Sequence, residues 1–112
     1  MLPKINRLTK KKDFDKVFTG GKGVKQDFLL VKAVKNNLPS SRFGFVVSKK
    51  VSPKAVVRNR VKRRLRDAVA GLLGELNGSF DVIVISLAGI EKREFLEIQK
   101  TVSDSFRKMG II

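Results

Sequence analysis

The stretch from Lys49 to Arg66, KKVSPKAVVRNRVKRRLR, constrains this chain more than any other, because it must bury one narrow face while nearly all the rest of its perimeter is cationic. From Val57 the apolar residues recur as Val57, Val61, Leu65, Ala68 and Leu72. Steps of three and four draw a single stripe along a helix of about 3.6 residues per turn, and that stripe needs a core to face. Ser52 followed by Pro53 predicts the helix start, since Ser can accept free backbone N–H groups and Pro at the first position wastes no donor. Arg58, Lys62 and Arg66 flank one side of the stripe, and Asn59, Arg60, Arg63 and Arg64 cover the back and the other side. Nine residues of the run are basic and none is acidic. A merely solvated charged face interleaves acids at i,i+4; without them the cations repel one another until an external polyanion neutralises them.

The remainder of the composition narrows the setting. A chain of 112 residues has room for one domain, 1–112, around one hydrophobic core. Its 42% apolar content is that of a folded protein. A net charge of +15 concentrates polyanions around the whole molecule, and nucleic acid is the first partner to consider. Without Cys or His the chain has no thiolate or imidazole for metal binding, nucleophilic attack or general-base work. No span of 18 apolar residues and no apolar leader occurs, so a cytoplasmic protein is expected.

Along the chain, Met1 to Leu8 reads as an irregular arm, and Thr9 to Phe18 as a short amphipathic helix capped by Thr9, carrying Phe14, Val17 and Phe18 on one face and ended by Gly20 and Gly21. Lys22 to Lys25 is compatible with a turn or a short strand. Phe28 to Val34 reads as a strand, Asn36 to Ser41 as a hairpin-type loop, and Arg42 to Ser48 as a second strand paired antiparallel to the first. After the basic helix, Asp81 to Leu87 is nearly continuous in Val and Ile and reads as a central strand covered on both faces. Lys92 to Met109 reads as a closing helix with Phe95, Ile98, Val102, Phe106 and Met109 inward. The expected fold is an α+β two-layer sandwich: a small mixed sheet of three to four strands, three helices and a central β-α-β crossover. Asp13 and Asp15, two apart on a helix, point away from each other and suit structural or capping roles. Gly44 inside a strand suits close approach of an RNA backbone, or a bend or tight helix packing, and packing is the reading expected here.

Several segments together resemble the bacterial ribonuclease P protein subunit. They are Ser48-Lys49-Lys50, then Arg58-Asn59-Arg60-Val61-Lys62-Arg63 with Arg66, preceded by Asn6-Arg7-Leu8, Asp13-Phe14, Val17-Phe18 and Arg42-Phe43-Gly44, and followed by Asp81-Val82-Ile83-Val84. The likeness spans nearly the whole chain. It implies a protein that binds a large catalytic RNA and the 5′ leader of precursor tRNA, with hydrolysis carried by the RNA and Mg²⁺ rather than by a catalytic residue or metal site of the protein, and with no DNA or membrane partner. By that resemblance Lys49, Lys50, Arg58, Asn59, Arg60, Lys62, Arg63 and Arg66 contact the catalytic RNA, and Phe14, Phe18 and Lys32 line a groove for the leader. Arg offers a planar fork to phosphates, and aromatic rings stack on bases of any sequence. Val31 and Lys32 stand where the family often places an aromatic residue, so this chain relies on Phe and Lys. From the residues alone, Phe14 and Phe18 at i,i+4 fit core packing as well as a groove. Two other readings share the charge: a ribosomal-type structural RNA-binding protein, and a membrane-active cationic helix, which the Val- and Ile-rich strands oppose.

Overall fold

A computed structural model describes residues 2–112; Met1, at the start of the expected arm, lies outside the described residues. Four strands, β1 (Lys22–Gln26), β2 (Leu29–Lys35), β3 (Arg42–Val46) and β4 (Phe80–Ser86), form one sheet in the order β1-β2-β4-β3. Every residue of β4 except Ile85 is buried, and the strand lies inside the sheet, as its unbroken apolar composition requires. It pairs antiparallel with β2, Val84 opposite Val31, and parallel with β3, Val84 opposite Phe45.

The expected direct pairing of the second and third strands is therefore wrong: β4 sits between them. The loop from Asn36 to Ser41 does not close a hairpin but crosses the end of β4 and is stitched to the segment entering it. Asn36 N donates to Ser79 O at 3.3 Å and Phe80 N to Ser41 Oγ at 2.9 Å. A strand apolar on both faces gains most from a central position, while the edges accept the charged β1 and Arg42. The undecided segment after Gly21 is the edge strand β1, joined to β2 through a turn in which Asp27 adopts a φ of 51°.

Three helices follow the apolar periodicities, α1 (Lys11–Gly20), α2 (Ala55–Ala70) and α3 (Phe95–Met109). Neither predicted side-chain cap forms at the first two. α2 starts after Lys54, and Ser52 Oγ accepts Lys54 N at 3.2 Å, closing a turn upstream of the helix. α1 likewise starts after Lys10 rather than at Thr9. α3 carries the reciprocal cap of Glu94 and Glu97, and Gly110, at φ 76°, turns the chain out of it.

α2 and α3 lie on one face of the sheet. Val61, Leu65 and Ala68 of α2 and Ile98, Val102 and Phe106 of α3 are fully buried in the core that holds Leu29, Val31, Phe43, Val82 and Val84. Phe43 and Phe106 stack with centroids 5.9 Å apart. Each such aliphatic side chain contributes roughly 1.5–3 kcal/mol by leaving water, which holds α2 to the sheet against its own charge repulsion. Val57, the first residue of the predicted stripe, is only half-buried. α1 covers part of the reverse face through Val17, which packs with Leu8 and Ile83. The N-terminal arm is more ordered than its sequence suggests. Leu2 is fully buried, Arg7 bridges to Phe43, and Leu8 N donates to Phe43 O at 2.9 Å, which covers the open edge of β3.

Candidate nucleic-acid interface

Because one stripe of α2 is spent on the core, its other residues are presented outward in graded fashion. Asn59 and Arg63 are exposed; Arg58, Arg60, Lys62, Arg64 and Arg66 are half-buried. Two guanidinium groups are partly used by the fold, Arg58 Nη1 donating to Ser52 O at 3.0 Å and Arg64 Nη1 to Arg93 O at 3.1 Å. Arg60 Nε is buried without a hydrogen-bond partner. Lys49 and Lys50 are exposed in the turn between β3 and α2, where Ser48 O accepts Val51 N at 3.1 Å and Ser48 Oγ accepts Lys50 N at 3.2 Å. The turn thus holds two free ammonium groups just ahead of the helix that carries the Arg-Asn-Arg motif.

On the reverse face the two phenylalanines of α1 part ways. Phe14 lies half-buried against Gly44, where a Cβ would stand 2.7 Å from its Cε1, so the glycine is what makes room for the tip of the ring on β3. Phe18 is 41% exposed, its ring facing Lys32 Nζ at 5.9 Å from the centroid, and the same Nζ donates to Phe18 O at 3.4 Å. An exposed ring with an ammonium group held beside it can stack a base and meet its phosphate. Val31 points the other way, into the main core.

The device that sets α1 against the sheet was not visible in the sequence. Arg42 donates through Nε to Asp81 Oδ1 at 2.9 Å and through Nη2 to Asp81 Oδ2 at 2.6 Å, while Nη1 reaches Asp13 Oδ2 at 3.3 Å. Asn36 Nδ2 adds a bond to Asp81 Oδ1 at 2.9 Å. One guanidinium on β3 therefore ties α1 to β4. The hydrogen bonds to Asp81 raise its pKa above the ordinary value; partial burial opposes this, and the charges of Asp81 and Asp13 add to the rise. Asp13 has the structural role expected of it, as a buried ion-pair partner, and Asp15 is exposed beside Lys11 at 4.0 Å. The partners are 29 and 39 positions apart, so no local pattern could have joined them.

Around the edge of β3 the two faces meet. A cleft of about 130 Å³ is lined by Arg7, Phe14, Gly44 and Phe45 together with Lys62 and Arg66 of α2. Cationic surface therefore continues from α2 past this edge to the aromatic face of α1. Residues 1–70 hold 20 of the 25 Lys and Arg and 4 of the 10 acids, so the net positive charge is concentrated before residue 71 and α3 is electrostatically mixed. Among the described residues no group of three Asp or Glu converges to hold a metal ion. Nor is any helix there long and apolar enough to cross a membrane.

The family model for ribonuclease P matches residues 2–110. The ribonuclease P protein component of Syntrophomonas wolfei is 35% identical over 111 residues, covering 99% of this chain and 92% of that protein. The corresponding protein of a Thermoanaerobacter species is 37% identical over 109 residues, covering 97% and 90%. Among solved structures, the Staphylococcus aureus RNase P protein superposes with a TM-score of 0.87 at 26% identity, covering 95% of this chain and 96% of that one. The Thermotoga maritima RNase P protein gives 0.82 at 27%, covering 91% and 96%.

Proposed function

Since the chain belongs to the ribonuclease P protein component family, we propose that its surface divides the work of that ribonucleoprotein, α2 docking on the catalytic RNA and the α1 face holding the 5′ leader of precursor tRNA. The observation that carries this reading is that the cationic helix α2 and the exposed Phe18 ring with Lys32 lie on opposite faces of one sheet. α2 presents Arg58, Asn59, Arg60, Lys62, Arg63 and Arg66, with Lys49 and Lys50 ahead of them, to structured RNA, whose phosphates suit forked guanidinium groups. The reverse face presents Phe18 and Lys32, a stacking platform suited to an unpaired strand. Phe14 serves as the packed base of this groove, seated on Gly44.

Hydrolysis in this reading belongs to the RNA subunit, with Mg²⁺ bound there supplying the activated water and the charge stabilisation at phosphorus. The protein's two carboxylates nearest the groove base, Asp13 and Asp81, are occupied by Arg42 and serve architecture. The protein's part is to orient and to raise the local concentration of substrate, work that suits a cytoplasmic partner of RNA. The test is reconstitution with a bacterial ribonuclease P RNA at low Mg²⁺. Faster removal of the 5′ leader is expected, and a folded sample that leaves the rate unchanged would reduce the protein to a structural RNA binder.

Phe18 separates the groove from the core. With 41% of its surface in water, Phe18→Ala should leave the unfolding midpoint nearly unchanged. Losing one stacked base should weaken binding of leader-bearing substrate by about tenfold. Affinity for mature tRNA, which has no leader, should not move. A parallel fall in stability and in all binding would instead make Phe18 a packing residue.

A further inference from the structure

A second concavity lies outside both surfaces described above. It is a trough of about 600 Å³ at the end of the sheet where β4 begins, beside the last turn of α3. Phe80, Met109 and Ile111 give it apolar walls, and Lys22, Lys35 and Lys108 line it without any carboxylate. All three lysines are exposed. The register explains their convergence. Lys22 stands opposite Ala33, two residues before Lys35, which stands opposite Phe80, so Lys22, Lys35 and Phe80 point to the same face of the sheet. Lys32, one residue out of phase, points to the reverse face, where it meets Phe18.

The trough begins where the Phe18 and Lys32 platform ends. Between Phe18 and the trough the chain passes through Gly20, Gly21 and Gly23, and Gly20 and Gly23 are part of the trough lining. No side chain of these residues stands in the way at the crossing from one face to the other. An apolar wall that accepts a base, with ammonium groups and no acid beside it, is the chemistry that holds single-stranded nucleic acid. We propose that this trough is a distal subsite for the same RNA strand: nucleotides of the leader beyond those on Phe18 turn over the Gly20 to Gly23 edge and lodge against the half-buried Met109, with their phosphates on Lys22, Lys35 and Lys108. The proposal rests on the leader-binding reading above and extends it along the strand.

The experiment compares precursor tRNAs with no leader, with a leader of about 4 and with one of about 10 nucleotides, each bound to the reconstituted complex over a range of salt concentrations. The wild-type protein should bind the long leader more tightly than the short one. In Lys22→Ala/Lys108→Ala that additional gain should disappear, and the log-log salt slope for the long leader should shrink by about 1.4, since each contact to single-stranded phosphate contributes roughly 0.7. Binding of the short leader should stay at the wild-type level. Equal affinity of wild type for short and long leaders, or a variant that keeps the full long-leader gain, overturns the distal subsite. Loss of any difference between leaderless and short-leader substrates would instead strike the groove reading itself, so the two failures are distinguishable.

Discussion

Arg42→Ala is expected to lower folding stability by about 3 kcal/mol, read as a shift of the urea midpoint at unchanged slope. The guanidinium is the partner of two carboxylates that are themselves 8% and 5% exposed, Asp13 and Asp81. Removing it leaves two like charges buried near one another, and breaking such a pair from one side is far worse than never having had it. The figure sits at the low end of the range for buried pairs because the Arg42 side chain keeps 24% of its exposure, which lets water screen the remaining charges. Arg42→Lys should recover only part of the loss, because an ammonium group cannot bond both Asp81 oxygens and Asp13 in a planar fork. In an Arg42→Met background, Asp13→Asn together with Asp81→Asn should restore most of the stability by removing the unpaired charges. A loss below about 1 kcal/mol for Arg42→Ala would mean that water replaces the guanidinium at little penalty. Since the folded-state pKa of Arg42 is raised, its contribution is fully present below the ordinary guanidinium value and fades only as pH climbs through the raised one, far above neutrality. The same variants should loosen α1 and with it the seat of Phe14 on Gly44.

How much of this could be read in the chain depended on the range of the interaction. The helical stripe Val61, Leu65, Ala68 and the unbroken apolar run of β4 are local periodicities, and both elements stand where they were expected. Gly44 fitted packing, a bend or close approach of RNA, and the Phe14 ring against it bears out the packing reading. The pairing of the second and third strands failed because a short loop is only a prior for adjacency, and the later β4, apolar on both faces, displaced β3 from its expected neighbour. The two missing helix caps failed for another reason. Ser52 and Thr9 are good capping types, but the cap position falls two residues after Ser52, at Lys54, and one after Thr9, at Lys10, and Ser52 bonds within its own turn. The Arg42 clip, the cleft at the β3 edge and the lysine-lined trough all join residues that are distant in sequence. No spacing rule could have brought them together, whereas the basic run of α2 was visible at once because its charge is contiguous.

That contiguity makes the other large prediction specific. Arg60→Ala/Arg63→Ala should weaken binding to the catalytic RNA by roughly 10²-fold near physiological salt, each lost charge-assisted contact to phosphate being worth about 1.5 kcal/mol. The pair is chosen because no hydrogen bond to the protein ties down either group, in contrast to Arg58 on Ser52 O and Arg64 on Arg93 O, whose removal would disturb the start of α2 and its contact with the entry to α3. Arg63 is exposed, and the half-buried Arg60 makes no hydrogen bond through its Nε. The diagnostic reading is the salt dependence. Two phosphate contacts removed should reduce the log-log slope by about 1.8, because fewer counterions are released on binding. Arg107→Ala, on the electrostatically mixed α3 beside Asp104, removes the same charge from the neighbouring helix and should change neither affinity nor slope by a comparable amount. Arg60→Lys/Arg63→Lys should restore most of the slope and only part of the affinity, since a point charge neutralises phosphate but cannot bond it with two parallel donors. An unchanged slope in the double alanine variant, with the protein still folded, would place this face of α2 outside the RNA contact. The docking surface would then have to be sought on Lys49, Lys50 and the Lys62 and Arg66 side of the helix.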